Sequence, residues 1–176
     1  MTQNHVGDVL KGAAAGLVGG FVASWTMNQF QAVWFKAAEA LEKSNGEPKT
    51  ELQETSTSDE NATVKAARAI SEGVFGRELK ENEKEFAGNA VHYAFGSTTG
   101  AFYGAMAEVT PEVTVGAGVP FGAAFWLAAD ETAVPLLGLA KGPTAYPVST
   151  HAYALASHLV YGLTTELVRR AIRKAV

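Results

Sequence analysis

His92, Asp130, Glu131 and His158 are ionisable side chains set within largely apolar stretches, and Asn28 is an amide in a similar setting. Histidine changes charge near neutral pH, so imidazole beside carboxylate can relay a proton. The same groups can ligate a metal ion, and a pair of histidines can hold a haem iron. A third role needs no ligand, because hydrogen bonds between helices in an apolar medium fix their register. The residues leave all three open and name neither a metal nor a cofactor. They lack the Glu-x-x-His pairs of di-iron carboxylate bundles and the His-Glu-x-x-His pattern of zinc proteases. The absence of cysteine excludes disulfides, thiolate catalysis and thiolate metal sites.

Helices must bring these residues together. The stretch 149–170 offers water almost no polar face before Glu166, and its length suits a bilayer crossing. His151, His158, Gly162 and Thr165 fall on one side of it, because steps of seven and four return to nearly the same face. Three further spans are expected near 9–35, 87–109 and 113–137. Counting residues from the shared turns places Asn28, His92, Asp130, Glu131 and His158 in one layer, ~12–15 Å below one surface at ~1.5 Å per residue. His151 lies nearer the surface. Removing His158 is therefore expected to cost more stability than removing His151. Glu108 and Glu166 fall toward the opposite surface and are expected to be solvated. Arg169, Arg170, Arg173 and Lys174 make a basic end suited to the cytoplasmic side and to anionic headgroups.

Glycines recur every four residues in three of the spans: Gly12, Gly16 and Gly20; Gly96, Gly100 and Gly104; Gly118 and Gly122. Small residues in this pattern let helices approach closely in lipid. The first two sets make natural partners, and such faces could also receive a second copy or a subunit of a larger membrane complex. A nucleotide-binding reading fails, because no strand precedes these glycines and no phosphate-loop lysine follows. Pro120 is expected to kink the third span, which either runs on past Asp130 and Glu131 or breaks near Pro135.

Charge is distributed to match. Charged residues are 18% of the chain, below the soluble norm of about 25%. Residues 36–86 hold eight Lys or Arg and twelve Asp or Glu, so this connection carries the whole net charge of −4 and the spans are correspondingly apolar. Residues 47–61 read as flexible. Asn61 can cap a short amphipathic helix over 62–75, with Gly76 ending it. That helix would place Ala66, Ala67, Ile70 and Val74 on one side, against the membrane surface or the bundle. Nothing resembles a nucleic-acid-binding surface.

The stretches VHYAFGSTTGAFYG at 91–104, FGAAFWLAADETAVPLLGL at 121–139 and SHLVYGLTTELVRRAIR at 157–173 resemble the YagU-like family of uncharacterised bacterial inner-membrane proteins. The resemblance covers most of the chain apart from 47–61. It implies a membrane location and a bacterial origin and adds no mechanism. The expectation is a single all-α membrane domain over 1–176, with about four transmembrane helices. It would be a multipass inner-membrane protein with both termini cytoplasmic and the bilayer as its partner. It reads as a non-enzyme serving transport or proton movement, the alternatives being a metal- or haem-binding redox protein and a structural subunit.

Overall fold

A computed structural model describes residues 2–45 and 61–176, and every regular element among them is helical. These are α1 (Thr2–Asn45), α2 (Ala62–Phe75), α3 (Glu81–Val109), α4 (Val119–Ala128) and α5 (Val148–Ala175). A 3-10 segment, Pro111–Gly118, leads into α4, and a π-helical turn, Ala129–Ala133, carries it on into a last turn at Val134–Leu136. The expected flexible stretch lies, apart from Asn61, outside the described residues.

Glycine decides the packing. Gly12, Gly16 and Gly20 of α1 meet Gly104, Gly100 and Gly96 of α3 in antiparallel order, backbone against backbone. A Cβ added at Gly16 would lie 2.9 Å from Gly104 Cα, and one at Gly100 would lie 2.7 Å from Gly20 Cα. Gly118 and Gly122 meet α5 at Gly162 and His158 in the same manner, and Gly19 meets Thr165. The four long elements thus alternate in direction around one centre. Tyr103 stacks on Phe121 at 4.3 Å, and Phe95 lies 5.6 Å from Phe125, which closes α3 against α4.

The interior is small and polar, and the exterior is greasy. Ala15, Ala23, Ser24, Ser157, Thr165, Tyr103 and Tyr161 are buried, while Leu10, Phe21, Trp25, Phe95, Phe102 and Leu167 are exposed. This inverts the distribution of a soluble core, where large apolar residues lie inside. Two stretches, His5–Ala40 and Pro111–Leu136, are long and apolar enough to cross a membrane. Only 33% and 17% of their apolar windows are buried, whereas a soluble core helix would be mostly covered.

Several expectations change in detail. Pro120 does not kink a helix: it occupies the first turn of α4, where its missing N–H costs nothing. The break comes earlier, at Gly116, Ala117 and Gly118, all with positive φ. The helix runs on past Asp130 and Glu131 by widening into the π turn and ends before Gly138, at φ 70°. α2 begins after Asn61, whose side chain accepts from Thr63 N–H at 3.3 Å, and stops at Gly76 with φ 63°. Its buried residues are Ala67 and Ser71, while Ile70, Val74 and Phe75 stay exposed. The face rotates because Val64 fills the space above Gly88 of α3 and the Ser71 hydroxyl donates to the Arg77 carbonyl at 2.8 Å.

Candidate functional site

Asn28, His92, Asp130, Glu131 and His158 all line one chamber of about 390 Å³ between the helices. Asn28 comes from α1, His92 from α3, the two carboxylates from the π turn and His158 from α5. π-helical turns inside α-helices recur at functional sites, where the extra residue re-aims side chains. Here the widened turn lets two consecutive carboxylates line the same space. The Thr132 hydroxyl donates to the Leu127 carbonyl, five residues back, at 2.8 Å.

The pairing within the chamber differs from the layer read by counting. Glu131 takes His151 as its partner, at 2.6 Å through Nδ1. His151 Nε2 lies 3.0 Å from the Pro143 carbonyl, so Nε2–H donates there while Nδ1 shares a proton with the Glu131 carboxyl. His158 Nδ1 donates to the Ala154 carbonyl at 2.9 Å and stands 3.6 Å from Asp130 Oδ2, beyond hydrogen-bond reach. His92 Nε2 is 3.5 Å from the Ser24 carbonyl, and the Asn28 amide is 3.4 Å from the Tyr93 hydroxyl, both weak contacts. Tyr161, fully buried, donates to the Gly96 carbonyl at 2.6 Å and forms part of the chamber wall.

His151 is the site residue that sequence reasoning left out. Its seven-residue spacing from His158 was the available signal. Thr150, Tyr146 and Lys141 join it where the chamber reaches one end of the bundle, beside the first residues of α2. A second, polar cleft between α2 and α3 shares Asn61, Thr63 and Asn89 with the chamber. Among the described residues no three His, Asp or Glu side chains converge at metal-ligand spacing. The chamber therefore offers two separate His–carboxylate pairs.

The opposite end is closed by charge. Glu166, expected to be solvated, is 0% exposed. It accepts from Arg169 Nε at 2.7 Å, from Arg169 Nη2 at 3.0 Å, and from Arg170 Nε. Glu108 accepts from Arg173 at 2.8 and 3.1 Å, and Arg169 reaches it at 3.4 Å. Burial of these carboxylates follows from the glycines: a Cβ at Gly118 would meet Glu166 Cβ at 2.9 Å, and Gly12 lets α1 close over Glu108. The basic tail is thus largely matched from within the protein. Outside the spans, Arg77 bonds Glu83 at 2.7 Å and holds its carboxyl below the usual carboxylate range, while Glu83 also accepts from Lys80 N–H at 3.0 Å.

No curated protein and no solved structure matches the chain. A family model, described as "Protein of unknown function (DUF1440)", matches residues 72–167, more than half of the chain. The matched region contains His92, Asp130, Glu131, His151 and His158, and it fits the YagU-like resemblance at the level of the family. With more than half of the chain and most of the chamber's lining inside that match, the chain belongs to the DUF1440 family.

Proposed function

We propose that the chain is a four-span protein of the bacterial inner membrane that moves protons, alone or with a small polar solute, through its central chamber. The carrying observation is the convergence of Asp130, Glu131, His92, His151 and His158 on one cavity that reaches only one end of the bundle. Ionisable residues at membrane depth are costly and mark ion pathways by default. A chamber open at one end, with a buried ion-pair cluster at the other, presents its titratable groups to one side. α3 and α5 are less apolar than the other two long elements, yet both turn large apolar side chains outward. Phe102 is 65% and Leu167 54% exposed, which supports lipid on those faces as well.

The bilayer is the partner in this reading, with both termini cytoplasmic, and neither nucleic acid nor an enzymatic reaction has a place in it. The glycine faces that could have received another subunit are occupied by the protein's own helices. The test is proton movement in liposomes containing a pH-sensitive dye. The purified protein should collapse an imposed pH gradient faster than protein-free vesicles, and Asp130→Asn and His158→Gln should slow it. Decay equal to that of empty vesicles would overturn the reading.

A further inference from the structure

We propose that the chamber binds a small organic cation, a protonated amine carrying a short apolar or aromatic group, with Asp130 as its counter-ion. This rests on the reading of the chamber as the functional centre and adds the class of ligand.

Charge bookkeeping within the chamber leads to Asp130. Glu131 is matched by His151 at 2.6 Å. Asp130 is matched only loosely: His158 Nδ1 stands 3.6 Å away, and its N–H is directed to the Ala154 carbonyl at 2.9 Å, so no hydrogen bond from it reaches the carboxylate. Its side chain remains 39% open, although it sits among apolar helices. A carboxylate without a donor in such a place is unfavourable, and a cation with N–H groups relieves it. Arg169, Arg170 and Arg173 are held at the other end by Glu166 and Glu108, and Lys141 lines the chamber only at its mouth, beside Tyr146.

The walls favour a cation with an apolar part. Phe125 lines the chamber 5.2 Å from the buried rings of His158 and Tyr161, and the more exposed Phe95 closes its edge, 5.6 Å from Phe125. Aromatic faces attract ammonium groups, most strongly where water is excluded. Ser24, 1% exposed, lines the same space with a hydroxyl that has no hydrogen-bond partner. A volume of about 390 Å³ lies at the small end of the range for ligand sites, which suits a monoamine.

The test is thermal unfolding of the purified full chain in detergent with butylammonium, 2-phenylethylammonium and tetramethylammonium. 1-Butanol, 2-phenylethanol and phenylacetate serve as neutral and anionic counterparts. Butylammonium or 2-phenylethylammonium should raise the unfolding temperature in proportion to the logarithm of its concentration, and its counterparts and tetramethylammonium, which has no N–H, should do so less or not at all. Asp130→Asn keeps the shape and should weaken that binding about tenfold or more, the size of a lost charge-assisted hydrogen bond. Should Asp130→Asn fail to fold, the comparison of amine with alcohol in the unaltered protein decides. Equal shifts by amine and alcohol, no shift by any ammonium, or full retention in Asp130→Asn would each overturn the proposal. Proton flux without ammonium binding removes this inference and leaves the proton reading standing. Ammonium binding without flux supports this inference and removes the other.

Discussion

Two histidines on one face of α5 meet different fates. His151 has an acceptor at each ring nitrogen, Glu131 at 2.6 Å and the Pro143 carbonyl at 3.0 Å. His158 has one close acceptor, the Ala154 carbonyl, which lies in its own helix. His151→Leu would strand a Glu131 carboxylate that is 14% exposed, at a cost of about 1–3 kcal/mol or more for a charge. His158→Leu would lose an edge contact with Phe125 and a 3.6 Å approach to Asp130, a smaller polar loss. Thermal unfolding in detergent should therefore show a larger drop for His151→Leu, the reverse of the order expected from depth alone. A larger drop for His158→Leu would contradict the Glu131–His151 pairing. Asn28, His92, Asp130, Glu131 and His158 line one chamber, with Glu131 turned to His151 near its mouth, whereas counting along helices gives only an expected depth. It cannot show direction around the axis, which the π turn at Ala129–Ala133 alters just where the carboxylates sit. Glu166 was misread for a related reason. Its nearness to an arginine-rich end suggests water, whereas its burial depends on a left-handed residue, Gly118, in another element.

Elements were legible where one residue decides a boundary. Asn61 and Gly76 delimit α2 by capping chemistry that is local and visible in sequence. The turn before α4 was not legible, because it contains Ala117 at φ 54°, a conformation disfavoured for any residue with a Cβ and held here by its surroundings. Glycines separate by the space around them. A Cβ at Gly73 of α2 meets nothing within 4 Å, so Gly73→Ala should stabilise that helix by about 0.5–1 kcal/mol. Gly100→Ala places its methyl 2.7 Å from Gly20 Cα and must push α1 and α3 apart, at about 1–3 kcal/mol. Unfolding midpoints should move in opposite directions, and a shared direction would refute the close backbone approach. The junction between α2 and α3 should depend on pH. Glu83 is held below its ordinary value first by the Arg77 hydrogen bond, so the stabilisation is present above the unfolded carboxylate value and fades as pH falls through the folded one. Amide exchange at the start of α3 should quicken over that acid window, and Glu83→Gln should flatten the response. An unchanged pH response in Glu83→Gln would rule out this pair as its source.

At the scale of the molecule, direction follows from which ends meet. Lys11 Nζ reaches the Val176 carbonyl at 3.0 Å and Arg173 lies 3.6 Å from Asp8, so the start of α1 and the end of α5 share one end of the bundle. α2 and the 3-10 turn Pro143–Ala145 border the chamber at the other. If the chain crosses the membrane four times, as proposed, a reporter fused after Val176 and one inserted within 56–60 should lie on opposite sides. The tail is expected inside. Its arginines are paired with Glu166 and Glu108 once folded, but loop sorting follows the number of Lys and Arg and is little affected by acids. Pairing therefore does not weaken the pull of Arg169, Arg170, Arg173 and Lys174. The eight basic residues of 36–86 pull the other way, spread along a long connection instead of gathered within two turns of a helix. A tail reporter on the outside, with the 56–60 reporter inside, would reverse the orientation and leave four spans intact. Both reporters on one side would require an even number of crossings between them, and the four-span arrangement would fall.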